Sequence, residues 1–469
     1  MTSATRPGTT LFVLFGATGD LAKRMVLPAF YTLAKEGLLP ANWMLVGNGR
    51  GDVSHYDFQD HVHDVLTENG EKLNDGTWSA FKDRLRFAGG GFEKDDPGSL
   101  LDVLHDSRQE LGEDAQLVHY LAVPPVAFER ITEGLGEHDL AKGSRVVYEK
   151  PFGTSPDGFR TLDKLVHKVL DEDQVYRIDH FLGKEATQNL HVLRFANGLF
   201  DRMWCRQAVR AVQIDVPEQL GIADRAEFYD ATGAVLDMLV THLFQVAAEI
   251  AMEPPKTLGP DDLQAAREKV IGCFRPIDPK QVVLGQFDGF TDTEGVDPKS
   301  KTDTYVAATL WVDNDRWRDV PFLLRTGKRL HESHQRVSLI LRDPDDGPLE
   351  DFPKDGNVLS FDLSGNGAIE LAMVTKKPGP ALELQPATVE LKLDAKEGSD
   401  PLPPYVRLIH DVLVGDRGLF TRPDGLESVW EAAGPLLDNP PAIKPYPVNS
   451  WGPADARALA EPDGWLLGQ

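Results

Sequence analysis

The sequence predicts two domains of different class: an open α/β domain built on a parallel sheet, then a larger α+β domain with a broad, mainly antiparallel sheet. Two patterns carry this expectation. Up to about residue 180, short apolar and β-branched runs alternate with amphipathic helical stretches, as βαβ units require. Beyond that point, after two long helical segments, strand-like runs follow one another without helices between them, which favours antiparallel pairing. A length of 469 residues suits two or three domains, and 41% hydrophobic residues are enough to fill their cores.

Taken in order, Thr10–Phe15 (TLFVLF) is an unbroken apolar run of the kind covered on both faces. A helix follows with Leu27, Phe30, Tyr31 and Leu33 on a helical period, and it stops near Gly37. Residues 43–47 form the second strand, and Leu85–Ala88, residues 117–122, Arg145–Tyr148 and Val175–Ile178 continue the series. Helical patterns over residues 58–66, 99–111 and 156–170 separate them. In the second half, helices are expected over residues 184–200 and 233–252. Strands are expected over Val282–Phe287, 304–312, Arg336–Leu341, 358–363, 368–374 and 387–393. The tail returns to helix over 405–414 and 426–437, while 296–302 and 343–355 read as loops.

Lys and Arg number 49 against 74 Asp and Glu, a formal charge of −25. Such a surface repels phosphate polyanions, so nucleic acid is not an expected partner, and an anionic metabolite needs its own basic pocket. The two cysteines, Cys205 and Cys273, are too few for a disulfide framework and fit a reducing compartment. No apolar run approaches the roughly 18 residues of a membrane span. The first ten residues lack the apolar centre of a signal peptide. A cytoplasmic protein without a membrane partner is expected. No Cys/His cluster has ligand spacing, so no metal is expected either.

The first strand runs into Gly16-Ala17-Thr18-Gly19-Asp20-Leu21-Ala22, and a helix then begins. Small residues let the backbone approach a phosphate, and a helix N-terminus adds unpaired N–H groups and the positive end of its dipole. The spacing is G-x-x-G-x-x-A rather than the commoner G-x-G-x-x-G/A, and such turns also serve merely to reverse a chain. Its position after the first strand of a βαβ unit points to a Rossmann-like, dinucleotide-binding domain. The second strand ends in Gly47-Asn48-Gly49-Arg50. An acidic residue here would bind the ribose hydroxyls of NAD, whereas Arg50 offers a bidentate donor to a 2′-phosphate. NADP is therefore the expected cofactor, with NAD left open. A plain surface arginine is the alternative.

The stretch Arg177-Ile178-Asp179-His180-Phe181-Leu182-Gly183-Lys184-Glu185 places Asp179, His180 and Lys184 within six residues at the junction of the two halves, where α/β proteins gather their sites. If a helix starts here, His180 and Lys184 face one way and can hold an anion; a capped helix start with solvated charges is the plainer reading. Glu218, Asp237 and His242 form a second group, the last two lying in the otherwise apolar stretch 234–250. Polar residues in such a helix need partners or a purpose, and a satisfied core histidine is the commoner case. Leu324-Arg325-Thr326-Gly327-Lys328-Arg329 sets three cations beside an apolar strand. Glu149-Lys150-Pro151-Phe152-Gly153 ends a parallel strand, with a cis prolyl bond as one option.

Together GATGDLAKR, YLAVPP, EKPFG, RIDHFLGKE, the Glu218–Asp237–His242 set, FLLRTGKRL and the C-terminal SWGP make almost the whole chain resemble the glucose-6-phosphate dehydrogenase family. The resemblance implies a nicotinamide-binding domain over residues 1–179 and a substrate-binding and oligomerisation domain over 180–469, self-associated as homodimers or homotetramers. It implies NADP-dependent oxidation of glucose 6-phosphate at C1 to a 6-phosphogluconolactone, the first step of the pentose phosphate pathway. On this resemblance His242 is the general base and Asp179 the carboxylate that orients it. His180 and Lys184 hold the phosphate, Glu218 and Asp237 hold sugar hydroxyls, Lys328 contacts the substrate, and Lys150 lies between sugar and nicotinamide. Gly16, Ala17, Thr18, Gly19, Asp20, Leu21 and Arg50 line the cofactor.

Several positions depart from the family pattern. Phe181 replaces a tyrosine, Met25 a lysine, Ser333 a second cation for which His334 or Arg336 would substitute, and Thr241 an amide residue. The strand Ile369-Glu370-Leu371-Ala372-Met373 lacks its usual glutamine. Two rival readings remain: a related sugar oxidoreductase with Lys150 as acid/base, and a non-catalytic dinucleotide-binding relative.

Overall fold

The computed structural model describes residues 7–51, 53–73, 75–222, 225–344, 353, 356–365, 367–392 and 402–468. The chain forms two compact units, Met1–Gly183 with Thr257–Gln264 and Leu402–Pro423, and Lys184–Lys256 with Ala265–Pro401 and Asp424–Gln469. The break thus falls after Gly183 rather than after residue 179. The first unit is also not contiguous, because Leu408, Ile409, Val412 and Leu413 of the late helix Pro404–Val414 complete its core beside Phe12, Leu14 and Phe30. An amphipathic helix does not announce in its own sequence which sheet it will cover.

The first unit carries β1 (Thr10–Phe15), β2 (Trp43–Asn48), β3 (Leu85–Ala88), β4 (Gln116–Leu121), β5 (Arg145–Tyr148) and β6 (Val175–Ile178). They lie in the order β6-β5-β4-β1-β2-β3, all parallel, and Phe420–Thr421 adds antiparallel at the β6 edge. Every residue of β1 is buried, which explains its unbroken apolar run. Strand order reverses at β1, flanked by β2 and β4. The crevice beyond the C-terminal ends at such a reversal is where open α/β sheets bind ligands.

The second unit carries β7 (Val209–Pro217), β8 (Val282–Phe287), β9 (Tyr305–Leu310), β10 (Phe322–Gly327), β11 (Arg336–Leu341), β12 (Val358–Asp362), β13 (Ala368–Lys376) and β14 (Leu384–Lys392). The sheet order is β14-β13-β12-β11-β7-β10-β9-β8, closed at the β8 edge by Lys444–Tyr446. Most pairs are antiparallel as expected, but β7 pairs parallel with β10, and β8 with Lys444–Tyr446. β7 is a central strand that the sequence pattern did not reveal. Its polar residues Gln213 and Asp215 are buried, and their partners lie far along the chain: Arg325 on Asp215, and Gly464 and Leu466 on Gln213. The expected loop 343–355 falls mostly outside the described residues, as does the end of the expected strand 387–393.

The second unit is threaded by the helix Ala226–Ala251, long and apolar enough to cross a membrane by composition, yet 89% of its most apolar window is buried inside the protein. It is a core helix, and the expectation that no run approaches that length needs this correction. Its C-terminal end is capped by side chains. At the C-terminal end Arg194 donates to the carbonyls of Glu249 (2.9 Å) and Met252 (2.7 Å), Trp204 to Ile250 (2.8 Å) and Trp317 to Ala251 (2.9 Å). Four consecutive carbonyls that a helix end leaves orphaned are thereby satisfied. Glu249, fully buried, is held by Arg267 and by His191 of the helix Glu185–Ala196. Burial alone would raise the Glu249 carboxyl, but Arg267 and then His191 overcome it and hold it down at about 2.

Because the folded carboxyl titrates below its unfolded value, this network contributes stability that is complete above the unfolded pKa and is lost as pH falls toward 2. Glu249→Gln is expected to cost about 3–5 kcal/mol near neutrality, since it leaves buried cations uncompensated. Denaturant titrations from pH 7 downward should show the gap between wild type and variant closing below the unfolded glutamate pKa.

Candidate active site

In the first unit, β1 delivers the chain into the glycine turn. Gly16 sits at φ 75°, and a Cβ there would lie 2.4 Å from the Ala122 carbonyl oxygen at the end of β4, so only glycine fits. The Gly16 and Ala17 amides donate to the Asn48 carbonyl at 3.0 and 3.1 Å, and the Gly19 amide to Gly16 at 2.8 Å. Helix begins at Asp20, with Thr18 and Asp20 exposed and Ala17 buried. This cradle of close-approaching backbone before a helix N-terminus fits a phosphate. Leu21 is partly buried, packing against the domain core. Met25 is exposed on the following π-helical turn, Ala22–Val26.

The loop after β2 is pinned by buried Asn48, whose amide donates to the carbonyls of Ala88 and Gly91 at 3.1 and 3.0 Å. Arg50 is exposed, its stem passing the Gly91 backbone, so its guanidinium is available to an anion. Asn48 was not singled out from sequence, where it reads as a turn residue.

At the end of β5, Glu149 is buried and accepts from the hydroxyls of Tyr120 (2.6 Å) and Tyr405 (3.4 Å). Burial pushes its carboxyl up against those hydrogen bonds and the Lys150 charge. The Lys150–Pro151 bond is cis. After β6, the buried Asp179 carboxylate accepts from the Phe181 amide at 2.9 Å. The His180 ring stacks on Tyr405 with centroids 6.5 Å apart. Residues 180–183 form a turn, and helix starts only at Glu185 with Lys184 as its extended N-cap. His180 and Lys184 therefore do not share a helical face, contrary to the sequence expectation.

In the second unit, Asp237 and His242 are both buried on the π-helical segment Val235–Leu243. A π-helix bonds i to i+5 and takes more residues per turn than an α-helix, which brings residues five apart nearer to one face than an α-helix would. Thr241, in place of the usual amide, turns its hydroxyl back to the carbonyls of Asp237 (2.6 Å) and Leu236 (3.3 Å). Lys328 is ion-paired with Glu218, and its ammonium lies 5.4 Å from the centre of the Tyr229 ring. The Tyr229 hydroxyl is buried without a hydrogen-bond partner among the described residues. Lys184 donates to Gln335.

The substitutes expected for the missing cation at 333 are engaged elsewhere. Ser333 accepts from the Gln219 amide at 2.8 Å, His334 lies 3.3 Å from Glu332, and Arg336 is paired with Glu370. Gln335 was missed from sequence, as was Tyr229, because neither an amide nor a core tyrosine carries a signal of its own.

The parallel sheet with its phosphate-fitting turn, and a second unit that gathers Glu218, Asp237, His242 and Lys328, define a dinucleotide-dependent oxidoreductase. Residues 13–189 match the glucose-6-phosphate dehydrogenase NAD binding domain, and residues 191–466 the C-terminal domain of the same family. Glucose-6-phosphate 1-dehydrogenase 2 of Mycobacterium tuberculosis is 36% identical over 477 aligned positions, covering 96% of this chain and 93% of the relative. The crystal structure of glucose-6-phosphate 1-dehydrogenase from Mycobacterium avium superposes with a TM-score of 0.88 at 34% identity, with 99% of each chain covered. A glucose-6-phosphate dehydrogenase in complex with glucose 6-phosphate gives 0.91 at 29% identity over the whole of both chains. The chain belongs to the glucose-6-phosphate dehydrogenase family.

Gly16→Ala is expected to abolish dinucleotide binding in a fluorescence titration. The positive φ alone costs about 1–3 kcal/mol, before the clash with the Ala122 carbonyl.

Proposed function

We propose that this protein oxidises D-glucose 6-phosphate at C1 to 6-phosphogluconolactone with NADP as cofactor and His242 as general base. The observation that supports the reading is the buried placement of Asp237 and His242 on one π-helical segment, in the same unit as the Glu218–Lys328 pair, within a chain that matches the glucose-6-phosphate dehydrogenase family over residues 13–189 and 191–466.

In this reading His242 removes the proton from the C1 hydroxyl, and the Asp179 carboxylate steadies the imidazolium that results. Glu218 and Asp237 accept from sugar hydroxyls, Lys328 steadies the sugar, and Lys184 with His180 binds the phosphate. The Gly16–Leu21 turn holds the cofactor diphosphate, Arg50 takes its 2′-phosphate, and Lys150 contacts the nicotinamide side. The nicotinamide, when bound, accepts the hydride that leaves C1. The absent hydroxyl at Phe181 and the absent cation at Ser333 each remove a charge-assisted bond worth about 1.5–3 kcal/mol, so a high KM for the sugar phosphate is part of the proposal.

Two free cysteines and the acidic surface support a cytoplasmic location without a nucleic-acid partner. Homo-oligomerisation as a dimer or tetramer is proposed through the outer hairpin of the second sheet, where Met373, Val389 and Leu391 are exposed on β13 and β14.

Initial rates with glucose 6-phosphate, using NADP and NAD in parallel and glucose as control, test the reading. Turnover with the phosphorylated sugar alone is expected. His242→Asn should lower kcat by about 10²–10⁴-fold with cofactor affinity kept. If Lys150→Met abolishes turnover while His242→Asn spares it, the base is misassigned. Arg50→Ala should raise the KM for NADP about tenfold or more and leave that for NAD unchanged.

A further inference from the structure

We propose that Asp303 is a positioning residue for the general base, locking the turn that carries Asp237 and His242 onto the strand end that presents Lys328. The inference rests on the function proposed above. The Asp303 carboxylate accepts from the Val235 amide at 2.8 Å, and its own carbonyl accepts from the Ala234 amide at 2.8 Å. These are N–H groups that the start of a helix leaves unpaired. The next residue serves the other arm: the Thr304 carbonyl accepts from the Lys328 amide at 2.9 Å. The Tyr446 hydroxyl lies 2.7 Å from the Lys328 carbonyl and 3.1 Å from that of Thr304, closing the junction. Two consecutive residues therefore hold the base segment and the substrate lysine in one register.

The approach is too close for any side chain to intervene. Gly233 precedes the segment at φ 64° and ψ 179°, and a Cβ on it would lie 2.7 Å from Asp303 Oδ1. Gly233 thus breaks the preceding helical turn and opens the space in which the carboxylate reaches the new helix start. Loss of solvent pushes the Asp303 carboxyl up to about 6 against the pull of the Val235 amide. Above that pH its charge complements the positive end of the helix dipole. An ordinary N-cap would act on helix stability alone. This one shares its backbone with the Lys328 junction, so its loss shifts His242 relative to the sugar.

The test compares Asp303→Ala with Asp303→Asn in the full-length protein. For each, kcat and KM for glucose 6-phosphate, the NADP dissociation constant and amide hydrogen exchange over residues 234–243 are measured. Asp303→Ala is expected to lower kcat about 100-fold, the size of effect when a reacting group slips by about 1 Å, with NADP affinity unchanged and exchange over 234–243 accelerated. Asp303→Asn keeps an acceptor of equal capping strength and is expected to restore most of kcat and the slow exchange. The proposal is overturned if Asp303→Ala turns over like wild type. It is equally overturned if activity falls only in proportion to the unfolded fraction seen by circular dichroism, or if Asp303→Asn is as damaged as Asp303→Ala. Absence of wild-type turnover would sink the proposed function, whereas the exchange measurement would still decide whether Asp303 holds the segment.

Discussion

A helix ends in carbonyls with no intrahelical partner, and in a dry interior each one left unpaired costs free energy comparable to a lost hydrogen bond. In the second unit the carbonyls of residues 249–252 are all taken, by Arg194, Trp204 and Trp317, and the Val235 amide is taken by Asp303. The π-helical turn Val235–Leu243 lies between these two sets of contacts. That turn carries both Asp237 and His242. The same clamp draws in Glu249, and through it His191 on the helix that Lys184 opens.

Interior polar groups are answered across long sequence distances throughout the second unit. Asp215 meets Arg325, which also donates to the Leu467 carbonyl and lies 4.4 Å from the centre of the Trp465 ring. Gln213 is answered by residues 464 and 466. The C-terminal segment is in this way part of the sheet's polar bookkeeping. In the first unit, several polar groups stand where parallel strands end. Asn48, Gly16 and Glu149 each stand at the C-terminal end of a parallel strand, the edge at which this class of sheet binds its ligand.

The departures from the family pattern also take physical form. Ser333 is drawn into a loop contact with Gln219, Arg336 is neutralised by Glu370, and Phe181 is buried as part of a turn. Gln335 accepts from Lys184. If this end binds the phosphate as proposed, it is less positive than the motifs alone suggest, while Asp237 and His242 remain on the π-helical segment.

Periodicity and short-range chemistry made the parallel sheet and the glycine turn readable from sequence, because each signal is local; the roles of the motif residues came from the family resemblance. TLFVLF has the length and unbroken apolar pattern of a strand covered on both faces. Tertiary structure alone decided the rest. β7 was hidden because its buried Asp215 and Gln213 look like surface residues until their distant partners arrive. Helix Pro404–Val414 joined the first unit because its apolar face fits that core, and Asp303 became a cap only where Gly233 leaves room for its carboxylate. An isolated stretch of sequence carries the hydrophobic pattern of its own element, but not the identity of the partner that will satisfy its polar groups.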